Sequence, residues 1–127
     1  MPRRVLLIDD EHDIREVAVL SLEAVGGWTV FGASSGEEGI AAAVAEQPDA
    51  ILLDVMMPAM DGPTTFQHLR MNEATSAIPV IFLTAKVQPA EQRQFVELGV
   101  RGVIAKPFDP LRLAHLVAEQ LGWDAPS

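Results

Sequence analysis

The chain has 127 residues, of which 49% are hydrophobic and 21% are charged, so it can form one globular domain and is not a disordered acidic tail. It contains no cysteine, which excludes disulfides, cysteine metal sites and thiol nucleophiles. The formal net charge of −9 disfavours direct binding to nucleic acids, whose phosphates it would repel, and favours a divalent cation as a small partner.

The N-terminus places Arg3 and Arg4 before a short apolar run over residues 5–8. Asp9 and Asp10 end that run, which is too short for the hydrophobic region of a signal peptide. No other stretch has the apolar length that spans a bilayer. We therefore expect a cytoplasmic protein without membrane insertion.

Short apolar runs alternate with helical patterns along the whole chain. The predicted strands cover residues 5–8, 28–31, 50–53, 80–83 and 102–105. The first helix shows helical spacing of apolar residues up to Gly26 and Gly27, and Ser35 with Glu38 predicts a capping box for the second. The second helix is expected to end near Gln47.

The last three helices share a signature with proline just inside the start, and two of them have glycine just beyond the end. These markers are Pro63 for the third helix, Pro89 and Gly99 for the fourth, and Asp109, Pro110 and Gly122 for the fifth, where Asp109 would be the cap. Five such β-α units predict a single-domain (βα)5 sandwich of the flavodoxin-like type, with a parallel sheet of order 2-1-3-4-5 and helices on both faces. We assign residues 1–123 to this domain and residues 124–127 to a frayed tail or the start of a linker.

The carboxyl ends of four predicted strands carry reactive side chains. Asp9 and Asp10 follow the first strand, Asp54 the third, Thr84 the fourth and Lys106 the fifth. In this strand order the four ends are neighbours beside the switch point, where α/β sheets bind ligands. Carboxylates without histidine or cysteine favour a hard cation such as Mg²⁺, and a carboxylate can attack phosphorus to form an aspartyl phosphate.

Each of these residues also has an ordinary structural explanation. Asp9 or Asp10 could cap the first helix, Asp54 could be a turn residue, and Lys106 could be a solvated lysine. Thr84 alone carries no functional signal. Only the combination at adjacent strand ends favours a site.

Four segments carry a family resemblance: IDDE at 8–11, LLDVMMPAMDG at 52–62, FLTA at 82–85 and AKPF at 105–108. In this order and spacing they resemble the receiver domain of bacterial two-component response regulators, over a region from Arg4 to about Leu121. The resemblance implies a signalling switch that is phosphorylated by a sensor histidine kinase or a histidine phosphotransfer protein. Phosphorylation would then shift the face formed by helix four, strand five and helix five between inactive and active states.

The resemblance also assigns roles at the metal site. Asp54 matches the phosphoacceptor, Asp10 a direct Mg²⁺ ligand, and Asp9 its helper through water. Asp54 would ligate the metal as well, and Met56 would contribute its backbone carbonyl. Mn²⁺ is a possible substitute for Mg²⁺.

Further roles follow for the phosphoryl side of the site. Thr84 matches the switch hydroxyl, and Ala85 and Lys106 lie at positions that bind the phosphoryl group. The bond between Lys106 and Pro107 is expected to be cis. Many receivers carry an aromatic residue where this chain has Val103, so we expect a weaker or differently shaped change on the output face.

Two positions are expected to tune the phosphoryl lifetime. Met56 lies two residues after the acceptor and Lys86 two residues after Thr84, so both would flank the path of an attacking water. Because the apolar Met56 cannot orient water, we predict slow self-hydrolysis. The alternative is that both side chains only pack or face solvent.

Two other functions remain open. The first is an aspartate-nucleophile phosphatase of the haloacid-dehalogenase-like type, although such enzymes usually carry an acid where this chain has Met56. The second is a degenerate receiver that acts only as a protein-interaction module. Met1 with few lead residues suggests a natural start. The chain is either a single-domain regulator that docks on a downstream protein or the N-terminal piece of a regulator with an output domain.

Overall fold

A computed structural model describes residues 2–85 and 88–126. Within these ranges five strands alternate with five helices. The strands are β1 (Arg4–Ile8), β2 (Thr29–Ala33), β3 (Ala50–Asp54), β4 (Val80–Thr84) and β5 (Gly102–Ala105). The helices are α1 (His12–Gly26), α2 (Gly36–Glu46), α3 (Gly62–Met71), α4 (Pro89–Leu98) and α5 (Leu113–Leu121).

The strands form one parallel sheet in the order β2-β1-β3-β4-β5. This confirms the predicted flavodoxin-like fold and its strand order. The order reverses direction between β1 and β3, so their carboxyl ends flank the crevice in which such sheets bind ligands.

Helices cover both faces of the sheet, because alternate strand residues point to opposite sides. In β1, Val5 and Leu7 belong to a buried cluster with α1 and α5, whereas Leu6 and Ile8 belong to a second cluster with α2 and α3. Strands β3 and β4 are buried along their whole length, and β1 is buried after Arg4, which explains why these three sequences are apolar almost throughout rather than alternating. In the described part of the chain, no helix has the length and apolar character needed to cross a membrane.

Two predicted elements, the second strand and the fifth helix, have boundaries that differ from the prediction by up to three residues. β2 runs from Thr29 to Ala33 rather than over residues 28–31, because its pairing with β1 continues to the Ile8–Ala33 pair. Trp28 lies outside the strand and packs edge to face against Trp123, with ring centroids 5.2 Å apart. The apolar run therefore included a residue whose partner lies far away in the sequence.

The fifth helix begins at Leu113, three residues after the predicted first position at Pro110. Asp109 does act as a cap, but for a turn: its Oδ1 accepts from the N–H of Leu111 at 2.9 Å. Its carbonyl accepts from the N–H groups of Arg112 and Leu113. Asp109 therefore caps a turn over residues 110–112, and regular helix follows that turn from Leu113.

Candidate functional site

The backbone ladder of the sheet continues past the strand ends and fixes the residues that follow. The N–H of Asp9 donates to the carbonyl of Ala33 at 3.0 Å, and the N–H of Lys106 donates to the carbonyl of Thr84 at 2.9 Å. Asp54 is the last residue of β3 and pairs with Leu83 of β4. The structure therefore brings the predicted residues of three strand ends to one edge with little backbone freedom.

Lys106 is the cation at the centre of this edge. Its Nζ lies 2.9 Å from Asp9 Oδ2, 3.3 Å from Asp54 Oδ1 and 3.7 Å from Glu11 Oε1. The side chains of Asp9 and Asp54 are 0% and 3% exposed, and that of Lys106 is 12% exposed. One ammonium is thus shared by three carboxylates, of which Asp9 and Asp54 are buried and Glu11 is exposed.

The three acids Asp9, Glu11 and Asp54 can bring one oxygen each within 4.8 Å of one another. Glu11 was not assigned a role from the sequence, although it directly follows the acid pair. Asp10 is not in this set in the conformation observed, but its Oδ1 is buried and accepts no hydrogen bond among the described residues. Asp54 Oδ2 is also buried, and it too accepts no hydrogen bond from the described residues. A buried carboxylate oxygen without a hydrogen-bond donor costs folding free energy unless an ion or a water binds to it.

Burial and the negative charge of Asp9 raise the pKa of Asp54 from its ordinary value of 3.8 to about 7, although Lys106 partly opposes the rise. For Lys106, burial alone would lower the pKa. The hydrogen bond to Asp9 and the charges of Asp54 and Asp9 outweigh it, and the pKa is raised. The lysine therefore stays charged, while Asp54 ionises less readily than an exposed aspartate, because burial and the charge of Asp9 outweigh the neighbouring ammonium.

The loop after Asp54 closes one side of the site. The N–H of Met56 donates a long bond of 3.4 Å to Asp54 Oδ1, while the Met56 side chain is 65% exposed. Asp61 caps α3 by accepting from the N–H of Thr64 at 2.9 Å. A side chain at Gly62 would place its Cβ 2.7 Å from the carbonyl oxygen of Asp54, so glycine lets α3 start directly against the acceptor.

The remaining predicted residues lie around the same edge. Thr84 is buried at the end of β4, and Ala85 after it is exposed. The bond between Lys106 and Pro107 is cis, as the resemblance implies. Val103 is half-buried, and its carbonyl accepts from Gln120 Nε2 at 3.0 Å. Lys86 lies outside the described residues.

A cavity of about 520 Å³ opens beside the acceptor. Apolar side chains of α1 and of the segment after β5 line it together with four charged residues, Glu11, Asp13, Asp54 and Lys106. The apolar side chains include Ile14, Val17 and Phe108. The acceptor is therefore buried within the protein but reachable from this side.

Known proteins share this fold and sequence pattern. The family described as response regulator receiver domain matches residues 5–118. The DNA-binding dual master transcriptional regulator RpaA of Synechocystis is 43% identical over 109 residues, which are 86% of this chain and 44% of that protein. The chain thus spans less than half the length of this relative.

Solved structures of receiver domains and related proteins superpose on this chain. The chemotaxis protein CheY4 of Vibrio cholerae superposes with a TM-score of 0.86 at 29% identity, covering 94% of this chain and 98% of that one. The receiver domain of a sensor histidine kinase from Pseudomonas aeruginosa, with a magnesium ion in its active-site cleft, gives 0.83 at 25% identity, covering 96% and 99%. With a family match over most of its length and a sheet of the same order, this chain belongs to the response regulator receiver domain family.

Proposed function

We propose that this chain is a phosphorylation-controlled switch in a two-component phosphorelay, with Asp54 as the phosphoacceptor. The observation that carries the proposal is the state of Asp54: its carboxylate is buried, touches Lys106 at 3.3 Å, and has one oxygen without a hydrogen-bond donor among the described residues. A carboxylate held in this way combines a nucleophilic oxygen with a fixed cation beside it.

The residues present fit Mg²⁺. The donors are all oxygens, three acids meet within 4.8 Å, and Asp54 Oδ2 and Asp10 Oδ1 are buried without donors. Asp10, Asp54 and the Met56 carbonyl would hold the ion directly. Asp9 would act through water, since both of its carboxylate oxygens already accept hydrogen bonds, from Glu11 N–H and Lys106. When bound, Mg²⁺ (or Mn²⁺) would offset the charge of the acids and of the phosphoryl oxygens.

The phosphoryl group would come from the phosphohistidine of a sensor histidine kinase or a phosphotransfer protein. An oxygen of Asp54 attacks phosphorus in line, the bond between phosphorus and the imidazole nitrogen breaks, and its electron pair stays on the imidazole. Lys106 Nζ is positioned to pair with a phosphoryl oxygen, because it already lies between Asp9 and Asp54. Thr84 ends β4 at the same edge, Ala85 directly follows it, and both would bind other phosphoryl oxygens.

The product would shift a two-state equilibrium, because it adds strong negative charge at a buried edge. Thr84 would move toward the phosphoryl group, and the change would reach the face formed by α4, β5 and α5. Since Val103 replaces the aromatic residue common at its position, we propose a smaller or differently shaped change there. The recipient is a downstream protein or an output domain in the same polypeptide, and this chain itself would not bind nucleic acid directly.

Intact mass spectrometry after incubation with acetyl phosphate and Mg²⁺ tests the proposal. We expect one added phosphoryl group on the wild type, and none on Asp54→Ala or without Mg²⁺. Asp49→Asn is the matched control, since Asp49 lies just before β3, at the opposite end of the sheet, and should leave the adduct unchanged.

The same experiment separates the alternatives. Release of phosphate without an adduct would favour an aspartate-nucleophile phosphatase over a phosphoacceptor whose chemistry is limited to its own modification. No consumption of the donor by a protein that still folds would favour a module that acts only through protein contacts.

A further inference from the structure

We infer that Arg15 on α1 is a positioning residue for the acidic cluster, acting through the backbone of Asp9. The inference rests on the proposed function, because it concerns how the Mg²⁺-binding acids are held. Arg15 lies outside the four motifs of the family resemblance, and neither its charge nor its sequence position predicts this role.

The contact runs between a helix and the end of a strand. Arg15 Nη1 donates to the carbonyl oxygen of Asp9 at 2.8 Å, in a part-buried position. Asp9 itself is fully buried. Charge-assisted bonds of this length are stronger than neutral ones, and a buried carbonyl that loses its donor is costly.

The bond completes the restraint of Asp9. Its N–H donates to Ala33, its Oδ1 accepts from the N–H of Glu11 at 2.9 Å, and its Oδ2 accepts from Lys106 at 2.9 Å. Arg15 fixes the remaining polar group, the carbonyl. With all four groups held, the carboxylate of Asp9 has one orientation toward the site.

Two neighbours fix the arginine in turn. Its stem lies over Gly32 of β2, where a Cβ would come within 3.3 Å of Arg15 Cδ and 3.5 Å of Cγ. Its Nη2 lies 3.3 Å from His12 Nδ1. Gly32 thus provides the space in which the side chain lies along the sheet edge, and the guanidinium is held rather than free in solvent.

The guanidinium is also a second cation in contact with the acidic segment. Lys106 contacts the carboxylates of Asp9, Glu11 and Asp54. Arg15 instead contacts the backbone carbonyl of Asp9. We therefore expect Arg15 to keep the acidic cluster ordered for the ion, without touching the ion or the phosphoryl group.

Mg²⁺ titration by calorimetry at fixed ionic strength tests the inference. Arg15→Met keeps the apolar stem and removes the guanidinium, and we expect it to weaken Mg²⁺ binding about tenfold, as loss of a group that orients a metal ligand commonly does. Arg15→Lys should recover part of the affinity, because an ammonium can still donate to the carbonyl. The control Arg93→Met makes the same charge change on exposed α4 and should stay within about twofold of the wild type, since distant surface charge is screened.

Gly32→Ala supplies a second variant that leaves the arginine in place. Its Cβ would push the Arg15 stem by a few tenths of an ångström, so it should weaken Mg²⁺ binding less than Arg15→Met. The effect should vanish when Arg15→Met is already present, because the two changes act through the same contact.

The readouts also separate this role from a merely structural one. With Asp54 phosphorylated from acetyl phosphate, Arg15→Met should need more Mg²⁺ for half-maximal rate, while the rate at saturating Mg²⁺ stays close to that of the wild type. Unchanged Mg²⁺ affinity in Arg15→Met, with or without a loss of stability, would overturn the inference. Failure of the wild type to bind Mg²⁺ at all would instead overturn the proposed function.

Discussion

The two ends of the sheet treat charge in opposite ways. At the amino ends of the strands, Arg4 donates to the carbonyl and the carboxylate of Glu46 at 2.8 and 3.0 Å, and its N–H donates to Asp49. Its guanidinium also lies 4.9 Å from the centre of the Phe31 ring. Arg3 similarly lies over the ring of Trp123 at 4.5 Å. These cations are partnered by an acid or an aromatic ring.

At the carboxyl ends, three acids share Lys106, and two buried carboxylate oxygens have no donor among the described residues. Both ends belong to the same strands, so the difference in how the charges are paired comes from the side chains and not from the backbone fold. Charged side chains at the amino ends have partners within the protein, while carboxylate oxygens at the carboxyl ends need a ligand to supply theirs. Local conflict of this kind is typical of functional sites.

The largest expected effect concerns the stability of the metal-free protein. Asp54→Asn removes a charge that the folded site accommodates poorly, so it should stabilise the protein above neutral pH. Moving a carboxyl pKa from 3.8 to about 7 corresponds to roughly 4 kcal/mol at most. Denaturant unfolding of both proteins between pH 4 and pH 8 measures the difference.

The sign of this dependence is fixed by the direction of the shift. Folded Asp54 holds its proton more tightly than unfolded Asp54, so the wild type loses stability relative to the variant as pH rises from about 4 to about 7. Above that range the difference is constant. Asp49→Asn, at the satisfied end, should give no stabilisation. A gain from Asp54→Asn that did not grow with pH would contradict the electrostatic origin.

A smaller effect is expected from the backbone around the acceptor. In Gly62→Ala the new Cβ would lie 2.7 Å from both the Asp54 carbonyl oxygen and Val55 Cα, and backbone atoms cannot easily move aside. We expect a loss of about 2 to 3 kcal/mol in the free energy of unfolding, as for other overpacked sites. Mg²⁺ affinity should fall as well, because Asp54 must shift.

Gly27→Ala is the control at the opposite end. Gly27 has a φ of 70°, but no heavy atom lies within 4 Å of its added Cβ, so the cost is conformational only. It should be about 1 kcal/mol, with Mg²⁺ affinity unchanged. Equal losses of stability and affinity in the two variants would show that the site has no special packing requirement at Gly62.

Most of the fold could be predicted from the sequence because its signals are local. Apolar runs, proline at Pro63 and Pro89, and glycine at Gly27 and Gly99 mark elements that the structure confirms. The two errors have different origins. A distant contact decides the first, because Trp28 lies outside the strand and packs on Trp123. The second is local, because Asp109 caps a turn that precedes regular helix in α5.

The sequence predicts the residues of the candidate site that lie in its motifs at the strand ends, and it does not predict the residues that support them. Asp9, Asp54 and Lys106 meet as expected, since strand order brings their positions together. Glu11 and Arg15 could not be assigned in this way. Their contributions depend on where long side chains turn after α1 begins, which spacing along the chain does not determine.

A change at Met56 should alter the chemistry and leave stability nearly unchanged. Its side chain is 65% exposed beside the acceptor, so Met56→Asn introduces a hydrogen-bonding group where water would approach. One added hydrogen bond to the attacking water, worth about 1 kcal/mol, corresponds to roughly fivefold faster decay of the aspartyl phosphate. The loss of phosphoryl mass with time measures the rate.

Met71→Asn is the matched control, because Met71 is 82% exposed at the end of α3, outside the residues that line the cavity. It should decay at the wild-type rate. Equal decay rates of the wild type and Met56→Asn would contradict the proposal that this position controls access of the attacking water.

The smallest effect is expected at the satisfied end. Arg4→Met keeps a stem that can pack on Phe31 but removes both bonds to Glu46. Because this pair is about two-fifths exposed, its removal should cost only about 0.5 to 1 kcal/mol, and less at high salt. Mg²⁺ affinity and the extent of phosphorylation should not change, since Arg4 and Glu46 lie at the other end of the sheet from the acids. A changed Mg²⁺ affinity in Arg4→Met would show that the two ends are coupled through β1, and that the partnered end does more than hold the sheet together.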